Sequence, residues 1–335
     1  MSRALGVRCA RCGASVLPAD VYCERCGTSL AQAGDLSRYG CGTCRAGREA
    51  IDRDGTCTRC GTPSHRVLDA GRAAAITHRG RVRARNEDAV ILESAGDTGV
   101  AVVVCDGVSL SAHPDAAAAG AARAAGDELG AALRSDATDL EAATGAAMAA
   151  AQRAVAGLPD RRETELPPPA STYVSAARRL GDVTVGWVGD SRAYWIGSRP
   201  RLLTADNSVS AERARTSGAA AGRGSATSHA ITRWLGADAP DGPDQILTFA
   251  PSGPGLVIVC SDGLWNYAPS TADIGRVVAM IGPEATAADV ALALVMTSLE
   301  AGGRDNITVG VIDCREHDAG PPGGRRARVR GGGFR

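Results

Sequence analysis

The chain contains no lysine: all 37 basic side chains among its 335 residues are arginine. That absence excludes any mechanism built on a Schiff-base or phosphate-binding lysine. Neither sign of charge is in excess, because 37 acidic residues balance the arginines, so no overall field draws the chain toward nucleic acid or membrane. No apolar run approaches the roughly 20 residues needed to span a bilayer. The N-terminus lacks a hydrophobic signal region, since Cys9 and Cys12 arrive almost at once. These absences predict a soluble, cytoplasmic protein. What is abundant is Ala and Gly, which together with the all-arginine usage reflects a GC-rich coding sequence rather than a function. An apolar content of 44% is enough for one large core or two smaller ones.

Three apolar runs end in aspartate followed by Gly or Ser: Ala-Val-Val-Val-Cys-Asp106-Gly, Gly-Trp-Val-Gly-Asp190-Ser and Val-Ile-Val-Cys-Ser-Asp262-Gly. Short Val/Ile-rich runs closed by a turn signal read as buried strands. A carboxylate at the end of such a strand is costly unless positive charge lies beside it. Arg-Asn86-Glu87-Asp88 and Arg-Asp305-Asn306 add two more acidic pieces. One Asp-Gly after a strand is usually only a turn, but five acidic settings of this kind offer many hard oxygen ligands. With few histidines beside them, they favour Mg²⁺ or Mn²⁺ over zinc.

The cysteines fall into two groups. Cys105, Cys260 and Cys314 lie singly in or beside apolar runs and read as small core residues. The other eight form four Cys-x-x-Cys pairs before residue 61: Cys9/Cys12, Cys23/Cys26, Cys41/Cys44 and Cys57/Cys60. A secreted disulfide framework is not indicated. Gly follows Cys12, Cys26 and Cys60, which permits the tight turn of a thiolate–metal knuckle. Units this short cannot fold on their own core, so metal must supply the folding energy. Two sets of four thiolates predict two structural Zn²⁺ ions in a tandem zinc ribbon. A small docking or spacer module is the favoured role. Nucleic-acid binding is not favoured, because only Tyr22 and Tyr39 are available for stacking.

The predicted organisation is a tandem zinc ribbon over 1–62, a linker over 63–75, a catalytic domain over 76–314 and a disordered Gly/Arg tail over 315–335. Helices are expected at Ala116–Leu133, Leu140–Val155 and Ala287–Glu300. The prolines near residue 167 demand a loop. Ser208–Ser228 reads as a mobile loop or flap with a short helix.

The order of motifs now matters. Thr77-His-Arg-Gly-Arg-Val-Arg83-Ala-Arg-Asn-Glu87-Asp88 is followed by Val-Cys-Asp106-Gly107, Ala-Ser171-Thr172 and Gly-Asp190-Ser-Arg192-Ala-Tyr194. Then come Leu203-Thr-Ala-Asp206-Asn207-Ser208, Ile231-Thr-Arg-Trp-Leu-Gly236, Cys-Ser-Asp262-Gly-Leu-Trp265 and Asp305-Asn306-Ile-Thr308-Val. Over roughly residues 75–314 this series resembles the metal-dependent, type 2C Ser/Thr protein phosphatases. The resemblance implies an α+β fold, an αββα sandwich of two mostly antiparallel sheets with helices outside. It implies hydrolysis of phosphoserine and phosphothreonine on phosphorylated proteins, opposing a Ser/Thr kinase, by water activated on two Mn²⁺ or Mg²⁺ ions. Such ions, about 3.5–4 Å apart, clamp the phosphoryl oxygens of one of the slowest reactions in water.

By the same resemblance Asp106 bridges both metals, Asp262 and Asp305 complete one site, and Glu87 with the Gly107 carbonyl serves the other. Asp88 would hydrogen-bond metal-held water, and Arg83 would grip the substrate phosphate in a two-donor fork. Asp190 either holds a third, weaker metal or pairs with Arg192 to brace a hairpin. Asp206 and Thr204 read as structural. Two positions depart from the pattern: Val108 stands where some members carry a histidine proposed as general acid, and Asn266 replaces an acidic residue of the third-metal site. The alternative function is a weakened, phosphatase-like scaffold or sensor acting on a protein partner through its ribbons.

Overall fold

The structure is a computed structural model. It describes residues 40–41, 43–52, 55–135, 139–159, 166–217 and 230–315, with Arg25, Leu36 and the backbone of 7–8 and 15–16. That backbone forms a minimal hairpin, β1 (Val7–Arg8) and β2 (Ser15–Val16). Two antiparallel sheets make up the body. The first contains β3 (His65–Asp69), β4 (Ala73–His78), β10 (Arg192–Gly197), β11 (Arg201–Leu202), β14 (Gly255–Cys260) and β15 (Ile307–Asp313), in the order β11-β10-β14-β15-β4-β3. The second contains β5 (Asp88–Ser94), β6 (Gly99–Asp106), β8 (Tyr173–Arg179), β9 (Asp182–Val188) and β13 (Gln245–Phe249), in the order β13-β9-β8-β6-β5. A small ladder joins β7 (Ala170–Ser171) to β12 (Leu235–Gly236).

Strand periodicity builds the layers. Ala73, Ala75, Val257 and Val259 of the first sheet face Val102, Val104, Val174 and Val185 of the second in a shared core. The alternate residues Ile76, Ile258, Val309 and Val311 turn outward against the short α4 (Asp262–Trp265), α5 (Thr271–Ile281) and α6 (Ala287–Glu300). On the other outer face Ala101, Val103 and Cys105 pack against α1 (Pro114–Leu133) and α2 (Leu140–Ala156). With both faces covered, these strands carry apolar residues on both faces rather than alternating with polar ones. The alanines of α1 let it lie close to its sheet: a Cβ on Gly126 would come within 2.5 Å of Ile91. The layers therefore run αββα, as expected, and Cys105, Cys260 and Cys314 are buried core residues.

Residues 63–75, expected as a linker, instead contribute β3 and the start of β4. Val67 pairs with Ile76 across the ladder and packs on the core, which makes this segment the sheet's edge strand. The three expected helices form to within a few residues. The expected flap begins with α3 (Val209–Ser217), and its remainder lies outside the described residues, as does the tail beyond Arg315. Helix α5 was not foreseen; its Ser270–Asp273 capping box is the signal that marks it.

Candidate active site

The fold gathers the acidic motifs from both sheets at one edge. Asp88 opens β5 and Asp106 closes β6, directly opposite each other in the ladder. Strands β14 and β15 pair Cys260 with Val309, so Asp262, two residues past one strand, and Asp305, two before the other, lie side by side. Asp190 follows β9.

Hydrogen bonds lock this arrangement. Asp88 Oδ2 accepts from Ser261 Oγ at 2.7 Å and from Thr308 Oγ1 at 2.6 Å, tying the second sheet to the first. Asn306 Oδ1 accepts from the Glu87 amide at 2.8 Å, while its Nδ2 donates to the carbonyls of Arg79 and Arg85 at 2.7 and 2.8 Å. The Gly107 amide donates to the Glu87 carbonyl at 3.0 Å. A Cβ at Gly107 would lie 2.2 Å from the Pro114 carbonyl oxygen, so only glycine fits.

Of the neighbouring arginines, Arg83 bonds into the acidic cluster. Its Nη2 donates to Asp305 Oδ2 at 2.6 Å and its Nη1 to Ser109 Oγ at 3.0 Å, and Ser109 in turn donates to Glu87 Oε2 at 2.8 Å. Arg81 and Arg85 are exposed. Arg192 forks onto Asp206 through two bonds of 2.9 and 2.7 Å, so it does not form the Asp190–Arg192 pair. It also lies 4.1 Å over the Trp265 ring, whose Nε1 donates to the Asp190 carbonyl at 2.9 Å. Thr204 Oγ1 accepts from the Ala193 amide. His113 is exposed at the start of α1.

Burial dominates the electrostatics. It pushes the Asp106 and Asp262 carboxyls well above the usual range, and neighbouring carboxylates push further: Asp88 then Asp262 for the first, Asp190 then Asp305 for the second. Asp88 is raised to about 6, again by burial first, and Asp190 to about 7, by burial and then Asp206. Arg83 lowers Asp262 only as the smallest of these influences. Arg83 is bonded to only one carboxylate of this cluster, Asp305, and the cluster's donors are hard oxygens, the set a divalent cation of the magnesium or manganese type prefers. Asp88 Oδ1 is buried with no partner among the described residues, which leaves it free for water. The residues present thus fit the metals that the motifs imply.

A family model for protein phosphatase 2C matches residues 77–293. The chain belongs to the protein phosphatase 2C family. The serine/threonine phosphatase stp of Listeria monocytogenes is 28% identical over 246 residues, which cover 71% of this chain and 93% of that protein. The phosphatase MsPP of Mycobacterium smegmatis, solved with cacodylate, is 27% identical with a TM-score of 0.58, over 74% of this chain and 98% of that one. The catalytic domain of PstP, solved with two manganese ions, is 25% identical with a TM-score of 0.55, over 72% and 97%.

Ahead of the protein phosphatase 2C domain, the sulfurs of Cys41, Cys44, Cys57 and Cys60 all lie within 4.8 Å of one another. Cys41 and Cys60 are 3.5 Å apart, and Cys44 and Cys57 are 3.6 Å apart. Zinc–sulfur bonds of about 2.3 Å at tetrahedral angles require sulfurs about 3.8 Å apart. Gly61 takes the left-handed φ of +72° that the turn after Cys60 needs. Cys9, Cys12, Cys23 and Cys26 lie outside the described residues.

Sequence reasoning gave no role to Ser109, Ser261, Asn306 or Thr308. All but Ser109 stand within the quoted protein phosphatase 2C motifs, close in sequence to the expected ligands Asp262 and Asp305, and that adjacency is the signal that could have found them. Ser109 meets Arg83 only through the fold.

Proposed function

We propose that the chain hydrolyses phosphoserine and phosphothreonine on proteins with two Mn²⁺ or Mg²⁺ ions, held by Glu87, Asp106, the Gly107 carbonyl, Asp262 and Asp305. The convergence of these carboxylates on one edge, where burial and mutual repulsion push Asp106 and Asp262 well above the usual range, carries the reading. When bound, the metals activate water and offset charge on the phosphoryl group. The chain's own residues do the rest. Arg83 presents two guanidinium donors to the phosphate, exchanging its Asp305 and Ser109 partners for substrate oxygens. Asp88, oriented by Ser261 and Thr308, aligns the attacking water through its free Oδ1. Val108 offers no proton, so the leaving alkoxide takes one from solvent. Asp190 is assigned to a third metal.

The proposal extends to the ribbons. Two structural zinc ions, one on Cys41, Cys44, Cys57 and Cys60 and one on Cys9, Cys12, Cys23 and Cys26, would build a module that recruits a protein partner in a cytoplasmic Ser/Thr kinase pathway. Among the described residues no helix is long and apolar enough to cross a membrane. Steady-state hydrolysis of a phosphoserine peptide by the metal-stripped chain, with Mn²⁺ or Mg²⁺ added back, tests the reading. Turnover should depend on the added ion and vanish in Asp262→Asn. Full turnover without metal would overturn it.

A further inference from the structure

The four-cysteine knuckle does not hang free of the catalytic domain. Its chain is fastened to the segment that carries Arg83. Thr43, inside the Cys41–Cys44 turn, donates its hydroxyl to the Ala84 carbonyl at 3.0 Å. Arg79 is buried, with 2% of its surface exposed, and donates through Nη1 to the Arg83 carbonyl. The Arg79 amide donates to Ser64 at 2.9 Å, and the Ser64 amide and hydroxyl both donate to the Gly55 carbonyl in the knuckle's second half, at 2.7 and 3.0 Å.

These contacts form a pattern. The carbonyls of Arg83, Ala84 and Arg85 are three consecutive peptide units, and each takes one donor: Arg79, Thr43 and Asn306 respectively. Asn306 belongs to the metal-site side, while the other two donors depend on the knuckle. The Arg83 carbonyl lies in the peptide plane that follows the Arg83 Cα, so holding it and the next two planes restricts the direction in which the long Arg83 side chain leaves the backbone. A pure spacer or partner-docking module would have no reason to bond to this segment.

We propose that the metal-filled Cys41–Cys60 knuckle positions Arg83 for phosphate, with Thr43 and Arg79 as the positioning residues. The inference rests on the phosphatase reading and on metal binding by the four thiols. It assigns the knuckle a part in substrate affinity, because the carbonyls that Arg79 and Thr43 hold are those of the phosphate-binding arginine and the residue after it. A displacement of about 1 Å in such a group is enough to be felt strongly in the reaction.

The test uses the full chain at saturating Mn²⁺, with three variants: Thr43→Val, Thr43→Ser, and Cys57→Ser with Cys60→Ser. Kinetics on a phosphoserine peptide are read beside deuterium exchange of the segment spanning 80–88. Loss of one such hydrogen bond should raise KM roughly two- to tenfold in Thr43→Val. Its kcat and Mn²⁺ dependence should hold, and Thr43→Ser should restore KM. The double cysteine variant should lose one equivalent of zinc, exchange faster over 80–88 and show a KM increase at least as large. A zinc-depleted variant with unchanged KM and unchanged exchange would overturn the proposal. So would a fall in kcat at constant KM, the mark of general destabilisation. If the double variant does not fold, the Val and Ser pair at Thr43 decides. A wild-type chain that hydrolyses no phosphopeptide would refute the phosphatase reading instead, and the exchange data would still judge the positioning.

Discussion

Arg83 is bonded to Asp305 at 2.6 Å, so the arginine expected to grip phosphate rests on a carboxylate expected to bind metal. The pair is partly exposed, with 36% and 29% of the two side chains accessible, and a metal on Asp305 would compete for the same oxygen. Arg83→Ala should therefore raise KM without weakening Mn²⁺ binding, because it removes a competitor for that oxygen. The expected loss is about 1.5–3 kcal/mol, the range for charge-assisted hydrogen bonds, or roughly ten- to a hundredfold in kcat/KM. Lysine should rescue only partly, because a point charge cannot reproduce the planar fork. Alanine at the exposed Arg81 or Arg85 should matter far less. Equal effects at all three positions would mean that diffuse positive charge, not Arg83, attracts the substrate.

Asp106 sits where burial and four neighbouring carboxylates disfavour its charge, which is a cost the fold bears for function. Asp106→Asn should abolish turnover yet stabilise the metal-free protein, by on the order of 1–3 kcal/mol for an uncompensated buried polar group. Adding Mn²⁺ should raise the melting temperature of the wild type and not that of the variant. A variant that melts below the wild type without metal would show that the aspartate is satisfied by the fold itself.

Elemental analysis of the full chain should find zinc near two per chain. Serine at Cys41, Cys44, Cys57 and Cys60 should remove one equivalent, since these four sulfurs already stand within 4.8 Å of one another. Serine at the other four pairing positions should remove the second. Zinc retained after all eight changes would have to lie among the catalytic carboxylates.

The sequence was most legible where physics is local. Val/Ile runs ended by Asp read correctly as strand ends because a buried strand must terminate before a carboxylate can reach a cation. The αββα layering came from the order of motifs, which no local pattern contains. Residues 63–75 form an edge strand rather than the expected linker because only Val67 and Leu68 of His65-Arg-Val-Leu-Asp69 pack as apolar residues on the core, which leaves the segment too polar to stand out from a linker. Ser109, Thr43 and Arg79 carry no signal of their own; each acquires its partner only when distant segments meet. The choice between two roles for Asp190 could not be made from Gly-Asp-Ser-Arg alone, since Asp206, the actual partner of Arg192, lies fourteen residues further on.

His78 gives the fold a specific weakness in acid. Its Nε2 donates to the Leu36 carbonyl at 3.2 Å and its Nδ1 accepts from the Gly80 amide at 2.8 Å, so the ring is held neutral with both nitrogens used. Burial brings its pKa down to about 3. The unfolded chain has a histidine near 6.5. Above that value both states are neutral and pH has no leverage through this group. As pH falls below it, the unfolded chain takes up a proton that the folded one refuses, so stability is lost between about 6.5 and 3, at up to about 1.4 kcal/mol per pH unit. His65, stacked on His78 at 6.0 Å and also lowered by burial, adds to the same trend, so a single-residue comparison is needed. His78→Asn keeps an acceptor for Gly80 and removes the titration. Urea unfolding at pH 7 and pH 5 should show the wild type losing about 2 kcal/mol more than the variant. If the two proteins lose stability in parallel, His78 is protonated in the folded state, and the Gly80 bond does not hold the segment leading to Arg83.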